Sequence, residues 1–362
     1  MDEFPSSRTN HGTVAVMPSI DYDDQNTLLS PPHLDAQILE DDENSVFSDS
    51  STIGDLAQNG YVNRCPRFAG GRIIIFASIM LSKGFFAWSD QRSFSMFIEN
   101  RRKLDKCLDS GTGWPLFHFV SIGFRSYFNK NVPVNRIYKY KVVDNDSDDL
   151  KSLKQQNKEL IYKNKKQSLY KIEFCNIFRN VDNKTETVRH KFVCYKPDGS
   201  TYTVTLLNTV GRRHTDCSIF EPVTETSLNL RWQGTTGYTS VFGANDFKLV
   251  VLDDDIPHLS THTGQEIIDL RRQPDSNRRP ESRMPVWGMY SRVTTVLPIP
   301  KRRVLKLAAF EIGEVEESEE VPFTTEVLTC MCMYLHELES RKERRTPLST
   351  SMNTMPFGDF VI

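Results

Sequence analysis

The sequence predicts a mainly β protein, a closed antiparallel β-barrel around a hydrophobic helix near the carboxyl end. From residue 132 onward, about nine or ten strand-like segments alternate with turn signals. Residues 324–342 then have helical periodicity and are apolar over more than one stripe, which requires burial on several sides. Closing the sheet buries such a helix and removes exposed edges. The alternative is an open sheet with the helix on one face, and it requires a cleaner polar side than this helix has.

The helix is predicted from apolar residues that recur three and four positions apart. Pro322 precedes the segment, and Thr324 or Thr325 suits its cap. The basic run Arg341–Arg345 suits its end, because cations interact favourably with the carboxyl terminus of a helix. The apolar residues are Val327, Leu328, Met331, Cys332, Leu335 and Leu338, with Cys330 and Tyr334 widening the surface.

Charge is distributed unevenly along the 362 residues, although the net charge is only −2. Residues 1–60 contain 12 acidic residues and one arginine, and they have no sustained periodicity. They are predicted to form a disordered acidic tail on a mildly basic body. Within the tail, residues 40–55 place serines among acids, a pattern that acid-directed kinases use.

Residues 61–131 are candidates for the first strands of the barrel. The stretch Arg72–Trp88 is apolar but is interrupted by Ser82 and Lys83, so it is too short to span a membrane. Two strands, Ile73–Met80 and Phe85–Trp88 with a turn between them, explain it better. Residues 89–128 show no clear period, and whether they belong to the barrel stays open.

The barrel itself is predicted over residues 132–345. Residues 146–166 are polar and favour a short helix or a loop. Residues 253–285 indicate a mobile surface insertion, and residues 346–362 a flexible tail. The predicted strands are Ile137–Val143, Ser168–Phe174, Arg189–Tyr195, Tyr202–Leu207, Ser218–Phe220, Ser227–Trp232, Phe247–Leu252, Val286–Val296 and Val304–Ile312.

The seven cysteines show neither a metal-binding spacing nor a secreted disulfide pattern. Buried, reduced thiols in a cytoplasmic protein are the expectation. The histidines are scattered, and neither a phosphate loop nor a nucleophile elbow occurs. We therefore expect a protein that is not an enzyme and that needs no metal or cofactor.

Three segments carry a resemblance to a known family: LRWQGTTGYTSVFGANDFKLVVLDD (Leu230–Asp254), VWGMYSRV and VLKLAAFEIGE, followed by the apolar helix. This order of elements resembles the tubby C-terminal-like superfamily, which includes tubby, phospholipid scramblases and LURP-one-related proteins, and it is most similar to uncharacterised fungal members. The resemblance covers roughly residues 132–345 and implies a barrel threaded by a helix. The phosphoinositide site of tubby does not match position by position. The cysteine-rich segment of scramblases is absent, which argues against scrambling.

Basic groups are the candidate ligand contacts. Lys301, Arg302, Arg303 and Lys306 surround the start of the last predicted strand, and Arg212 and Arg213 occupy a predicted loop. Clustered cations bind phosphate groups, although solvated strand ends give the same pattern. Arginines 271–283 lack the interleaved aromatics that stack on bases, which argues against nucleic acid.

Two hypotheses follow. In the first, a non-enzymatic barrel binds an anionic phospholipid such as a phosphoinositide, or another phosphate-bearing ligand, at a membrane surface. In the second, the barrel is a protein-interaction scaffold without lipid contact, and the acidic tail and the 253–285 insertion recruit partners. The expected location is cytoplasmic, with peripheral attachment to membranes under the first hypothesis.

Overall fold

Fourteen strands in the described part of the chain form one sheet, in a computed structural model of the protein. The description covers residues 63–64, 70–122, 131–147, 158–209, 212–221, 225–236, 243–252, 256–262, 264–272, 285–293, 303–314 and 318–353, without the side chains of 63–64, 221, 261, 270–272 and 345–353. The strands are β1 (Asn63–Arg64), β2 (Gly70–Ile79), β3 (Phe85–Trp88), β4 (Phe117–Ser121), β5 (Asn135–Asp144), β6 (Lys158–Lys163), β7 (Gln167–Asp182), β8 (Thr187–Tyr195), β9 (Thr201–Thr209), β10 (His214–Glu221), β11 (Thr226–Gln233), β12 (Asp246–Val251), β13 (Pro285–Arg292) and β14 (Val304–Glu314). The helices are α1 (Gln91–Asn100), α2 (Leu104–Asp109), α3 (Gly264–Arg272) and α4 (Phe323–Asn353).

Twelve of these strands close into an antiparallel barrel, as predicted. Each strand from β7 to β14 pairs with the next along the chain, and β2 to β5 continue the ring through β5–β7. Pairing of β14 with both β13 and β2 completes it. Outside the ring, β1 joins β13 in parallel and β6 joins β7. The predicted alternative of an open sheet is therefore wrong.

Helix α4 occupies the barrel interior, and side chains from distant strands surround it. His336 contacts Phe76 of β2 and Tyr290 of β13, whereas Tyr334 contacts Phe192 of β8. All twelve helix residues from 325 to 336 are buried. Because no side of this segment faces water, the helix has no continuous polar stripe there.

The same helix is longer than predicted, because its backbone continues from Phe323 to Asn353. The prediction of a flexible tail over residues 346–362 is therefore wrong for residues 346–353, which belong to α4. Lysine and arginine, which suggested the end of the helix, have high helix propensity and are equally suited to a helix interior. Arg341 and Arg344 also pair with Glu337 across successive turns.

The uncertain region 61–131 supplies the first strands of the barrel, β2, β3 and β4, and two helices on its outer face. Asp90 caps α1 by accepting a hydrogen bond from the backbone N–H of Ser93 at 2.6 Å. Phe94 and Phe97 of α1 then pack on Trp88 of β3. Arg72–Trp88 thus belongs to two strands, and among the described helices none is both long enough and apolar enough to cross a bilayer.

Two other predictions need correction. Part of residues 146–166 forms β6, which has a short apolar run, Leu160–Tyr162, between charged residues and pairs with β7. The first part of the predicted 253–285 insertion contains a 3-10 turn at Leu259–Thr261 and α3, and Leu259 and Ile267 pack on Leu207 of the barrel. The predicted disordered tail, residues 1–60, lies outside the described residues.

Candidate functional site

The barrel has two ends, and three of the predicted basic residues, Arg212, Arg213 and Arg303, lie towards one of them. We call this the exit end, because α4 leaves the barrel there after starting beside the carboxyl end of β14, where Thr325 donates to Glu314. At the exit end Glu339 of α4 accepts hydrogen bonds from the backbone N–H groups of Thr236 and Ala244. Strand β14 starts at this end, as does β10, which pairs there with Gln233 of β11.

The described members of the predicted site divide into two groups. Arg303 is exposed directly before β14, and Arg213 is exposed before β10. Arg212 is half-buried, and its backbone N–H donates to the carbonyl of Thr209 at 3.3 Å. Four steps between neighbouring strands separate β14 from β10, which is roughly 19 Å at about 4.8 Å a step. Both groups therefore face the same end but are too far apart to hold one headgroup together.

Lys306 belongs to the barrel wall rather than to the exit end. It lies three residues into β14 from Arg303, about 10 Å along the strand. Its Nζ donates to Oε1 of Gln91 on α1 at 3.3 Å. Lys301 and Arg302 lie outside the described residues, so the geometry of the predicted cluster around β14 rests on Arg303 alone.

A turn that the sequence pattern indicates only as a connection contributes the most exposed apolar residues at this end. Leu81 is 93% exposed and Met80 is 53% exposed. The backbone N–H of Met80 donates to the carbonyl of Arg303 at 2.9 Å, so the turn lies directly beside that arginine. Lys83 in the same turn is also exposed. One signal in the sequence could have indicated this exposure. The apolar pair Met80-Leu81 stands immediately before Ser-Lys-Gly, at a turn position that polar residues usually occupy.

Two further apolar side chains extend this surface along the rim. Leu305 of β14 pairs with Ser78 of β2, and Ile122 follows β4. Each is 38% exposed. Strands β14, β2, β3 and β4 are consecutive in the ring, so these residues border one continuous sector of the exit end.

The helix end that closes the exit end is held by charge pairs. Lys342 donates to Glu339 at 3.1 Å and to the hydroxyl of Thr236 at 2.6 Å. Glu337 pairs with both Arg341 and Arg344. Burial raises the pKa of Glu337, while Arg344 opposes the rise. These cations are therefore engaged in closing the barrel.

The opposite end contains a second group of charge pairs, in which the carboxylates are buried. Arg72 donates to Glu314 at 2.8 Å, and Lys139 forms an ion pair with Glu326 at the first turn of α4. Burial raises the pKa of Glu326, and Lys139 opposes this effect. Since each of these groups is paired, they anchor the start of the helix.

Six of the seven cysteines lie in the described part of the chain, and all six are free and buried, as expected for structural thiols: Cys107, Cys175, Cys194, Cys217, Cys330 and Cys332. Burial raises the pKa of Cys217, and raises that of Cys332 well above its usual value, so neither is a ready nucleophile. Within the described ranges, no three histidine, cysteine or acidic side chains are arranged to hold a metal ion.

Fold and site together define a class of protein: a closed barrel filled by its own helix, with exposed cations and apolar side chains at one end. The chain belongs to the DIA1 family, whose model matches residues 70–344. It is 36% identical over 358 residues to the uncharacterized protein YNL165W of Saccharomyces cerevisiae, a match covering 89% of this chain and 85% of the yeast protein. No solved structure matched the chain.

Proposed function

We propose that this protein is a non-enzymatic barrel that binds anionic phospholipid, such as a phosphoinositide, at a membrane surface through its exit end. The observation that carries the proposal is the presence of exposed cations in three separate segments at that end. Lys83 follows β2, Arg213 precedes β10 and Arg303 precedes β14. A flat anionic surface engages cations that are roughly 19 Å apart, whereas a single small ligand does not.

The architecture supports a binding role over catalysis. The helix fills the barrel interior with packed apolar side chains, so the usual ligand site of a barrel is occupied by the protein itself. Ligands then meet the outside of the barrel or its ends. The proposed membership of the tubby C-terminal-like superfamily is supported by this barrel-around-helix arrangement, and a cytoplasmic, membrane-peripheral location accompanies the proposal.

Flotation of the full chain with vesicles tests the proposal. We expect binding to phosphatidylcholine vesicles that contain phosphoinositide, little binding to phosphatidylcholine alone, and weakening by salt. The double variant Arg213→Glu and Arg303→Glu should lose most of the binding. The double variant Lys163→Glu and Lys165→Glu, which reverses two exposed charges near the opposite end, is the matched control and should bind normally. Equal binding by both variants would remove the basis for the proposal.

A second candidate function, a protein-interaction scaffold, is favoured by one observation. Strand β6 lies outside the closed ring. Among the described strands it pairs with β7, along one of its two edges. Leu160 and Ile161 on it are exposed. An open strand edge can pair with an extended segment of another protein. Stable co-purification with one protein, lost in a Leu160→Pro variant of the full chain, would favour this function.

A further inference from the structure

The turn Met80–Gly84 has a composition that neither the barrel core nor the cation sites explain. Leu81 is the most exposed large apolar residue described, and it belongs to none of the described core clusters. Its backbone φ is +69°, in the left-handed region that leucine rarely adopts. The chain therefore holds a leucine out in water on a strained backbone, and such strain is concentrated at functional positions.

The turn is rigid rather than a loose loop. The backbone N–H of Ser82 donates to the carbonyl of Ile79 at 2.9 Å, and Met80 is bonded to Arg303. Gly84 has a φ of +76° and lies so close to β4 that a Cβ there would be 1.9 Å from the carbonyl oxygen of Phe119. A rigid turn presents its apolar side chains without a further ordering cost on binding.

The neighbours of the turn identify what it contacts. Exposed cations stand on both sides of the apolar pair, with Lys83 in the turn and Arg303 on the adjacent strand end. Apolar side chains flanked by cations match the boundary of an anionic bilayer, where headgroup charge lies just outside the hydrocarbon. An apolar pocket on a protein would explain the leucine but would not require cations on both sides of it.

We propose that Met80 and Leu81 form a wedge that enters the hydrocarbon boundary of an anionic membrane, with Lys83 and Arg303 remaining at headgroup level. This inference rests on the proposed function and adds the depth and orientation of binding to it. Leu305 and Ile122 lie on the same sector of the rim, so the barrel approaches the membrane on its β14–β2–β3–β4 side.

A fluorescent probe measures the insertion directly. Leu81→Cys in the full chain is labelled with a polarity-sensitive nitrobenzoxadiazole group. Leu160→Cys, on an exposed strand near the opposite end, is the matched control. The other described cysteines are buried. On vesicles of phosphatidylcholine and phosphatidylserine, we expect a blue shift for the Leu81 probe and quenching by lipids brominated on their acyl chains. The Leu160 probe should show neither.

A substitution at Leu81 distinguishes a loss of membrane insertion from a loss of folding stability. Asparagine tolerates the left-handed conformation better than leucine, so Leu81→Asn should leave thermal stability unchanged or slightly raised. Its vesicle affinity should nevertheless fall about tenfold, the scale expected for losing a buried leucine side chain. Met80→Ser should act in the same direction.

The two proposals fail in different ways. If the wild type binds vesicles and Arg303→Glu releases it, while the Leu81 probe remains in a polar environment and Leu81→Asn binds normally, the wedge is overturned and anionic lipid binding stands. If the wild type does not bind anionic vesicles at all, both are overturned. A Leu81 probe that inserts, together with reduced binding by a stably folded Leu81→Asn, supports both.

Discussion

The hydroxyl of Tyr290 lies 2.6 Å from Nδ1 of His336 inside the barrel, so a hydrogen bond joins a strand to the central helix within the core. Burial raises the pKa of Tyr290. Burial, with smaller contributions from Arg292 and Arg344, lowers the pKa of His336 to about 3. Both groups are therefore neutral, and the hydrogen bond between them joins the helix to β13.

Removing that hydroxyl should destabilise the protein. We expect Tyr290→Phe to lower the free energy of unfolding by about 1–3 kcal/mol, because a buried ring nitrogen loses its hydrogen-bond partner. Denaturant unfolding measures this change. In a His336→Phe background the same substitution should cost much less, since the hydrogen bond is already absent. Equal costs in the two backgrounds would show that the bond contributes little.

Stability should fall in mild acid. Burial is the main cause that lowers the pKa of His118 to about 4, and of His190 and His336 to about 3. Below pH 6.5 the unfolded histidines bind protons that the folded ones refuse, so the free energy of unfolding decreases as pH falls. Each histidine lowers the free energy of unfolding by an amount that approaches about 1.4 kcal/mol for every pH unit of acidification.

Unfolding measured between pH 6.5 and 5 tests this expectation. The variant His336→Phe should show a shallower dependence than the wild type, because one of the three contributions is gone. Identical slopes would mean that His336 is protonated in the folded protein.

Two glycines with positive φ should respond differently to alanine. At Gly84 (φ +76°) a Cβ meets the carbonyl oxygen of Phe119 at 1.9 Å, whereas at Gly199 (φ +84°) it meets nothing within 4 Å. Gly199→Ala should cost about 1–2 kcal/mol from backbone conformation alone. Gly84→Ala should cost at least about 3 kcal/mol more, because β3 and β4 must separate. Thermal unfolding of the two variants compares them, and similar midpoints would contradict the close approach.

Asp216 should hold the segment that follows β12 against the barrel. It accepts two hydrogen bonds from Arg231, at 2.8 and 2.9 Å, and one from the backbone N–H of Leu259. Burial opposes ionisation of Asp216, yet Arg231 lowers its pKa overall. Asp216→Ala leaves the partly buried Arg231 without its carboxylate and should cost about 3–5 kcal/mol.

Limited proteolysis checks the local part of this prediction. Cleavage within residues 253–285 should become faster in Asp216→Ala, and denaturant unfolding should show the loss of stability. Asp198→Ala, in an exposed turn where the carboxylate bonds only locally to Ser200, is the control and should change stability by less than about 1 kcal/mol. Unchanged cleavage in Asp216→Ala would place the anchor elsewhere.

The sequence predicted the parts of the fold whose local pattern matched their final surroundings. Residues 324–342 were apolar on several sides because they are surrounded by strands, and the turn before Phe85 was marked by Lys-Gly. Strand β6 was missed because its apolar run is only three residues long, Leu160–Tyr162, so that its place in the sheet depends on pairing with β7. Local pattern also gave no sign that Leu259 packs on the barrel, since that contact depends on the distant pair Asp216 and Arg231.

The site was predictable only in part. Arg303 and Arg213 stand out by their charge, and the structure locates both at one end of the barrel. Their separation is set by which strands neighbour each other, which a local pattern does not contain. The exposed turn at Leu81 has no local signature beyond its apolar pair, because Met80 fits the end of a strand. Exposure of Leu81, the residue after it, depends on the path of the turn, which the tight approach of Gly84 to β4 sets.

Hydrogen–deuterium exchange of the full chain, with and without vesicles of phosphatidylcholine and phosphoinositide, tests the central claim most directly. The account predicts that bound vesicles slow exchange at the exit end, in residues 78–86, 212–215 and 303–305, and leave residues 158–171 and 196–202 unchanged. Protection confined to residues 158–171, or none at the exit end of a protein that floats with the vesicles, would contradict it.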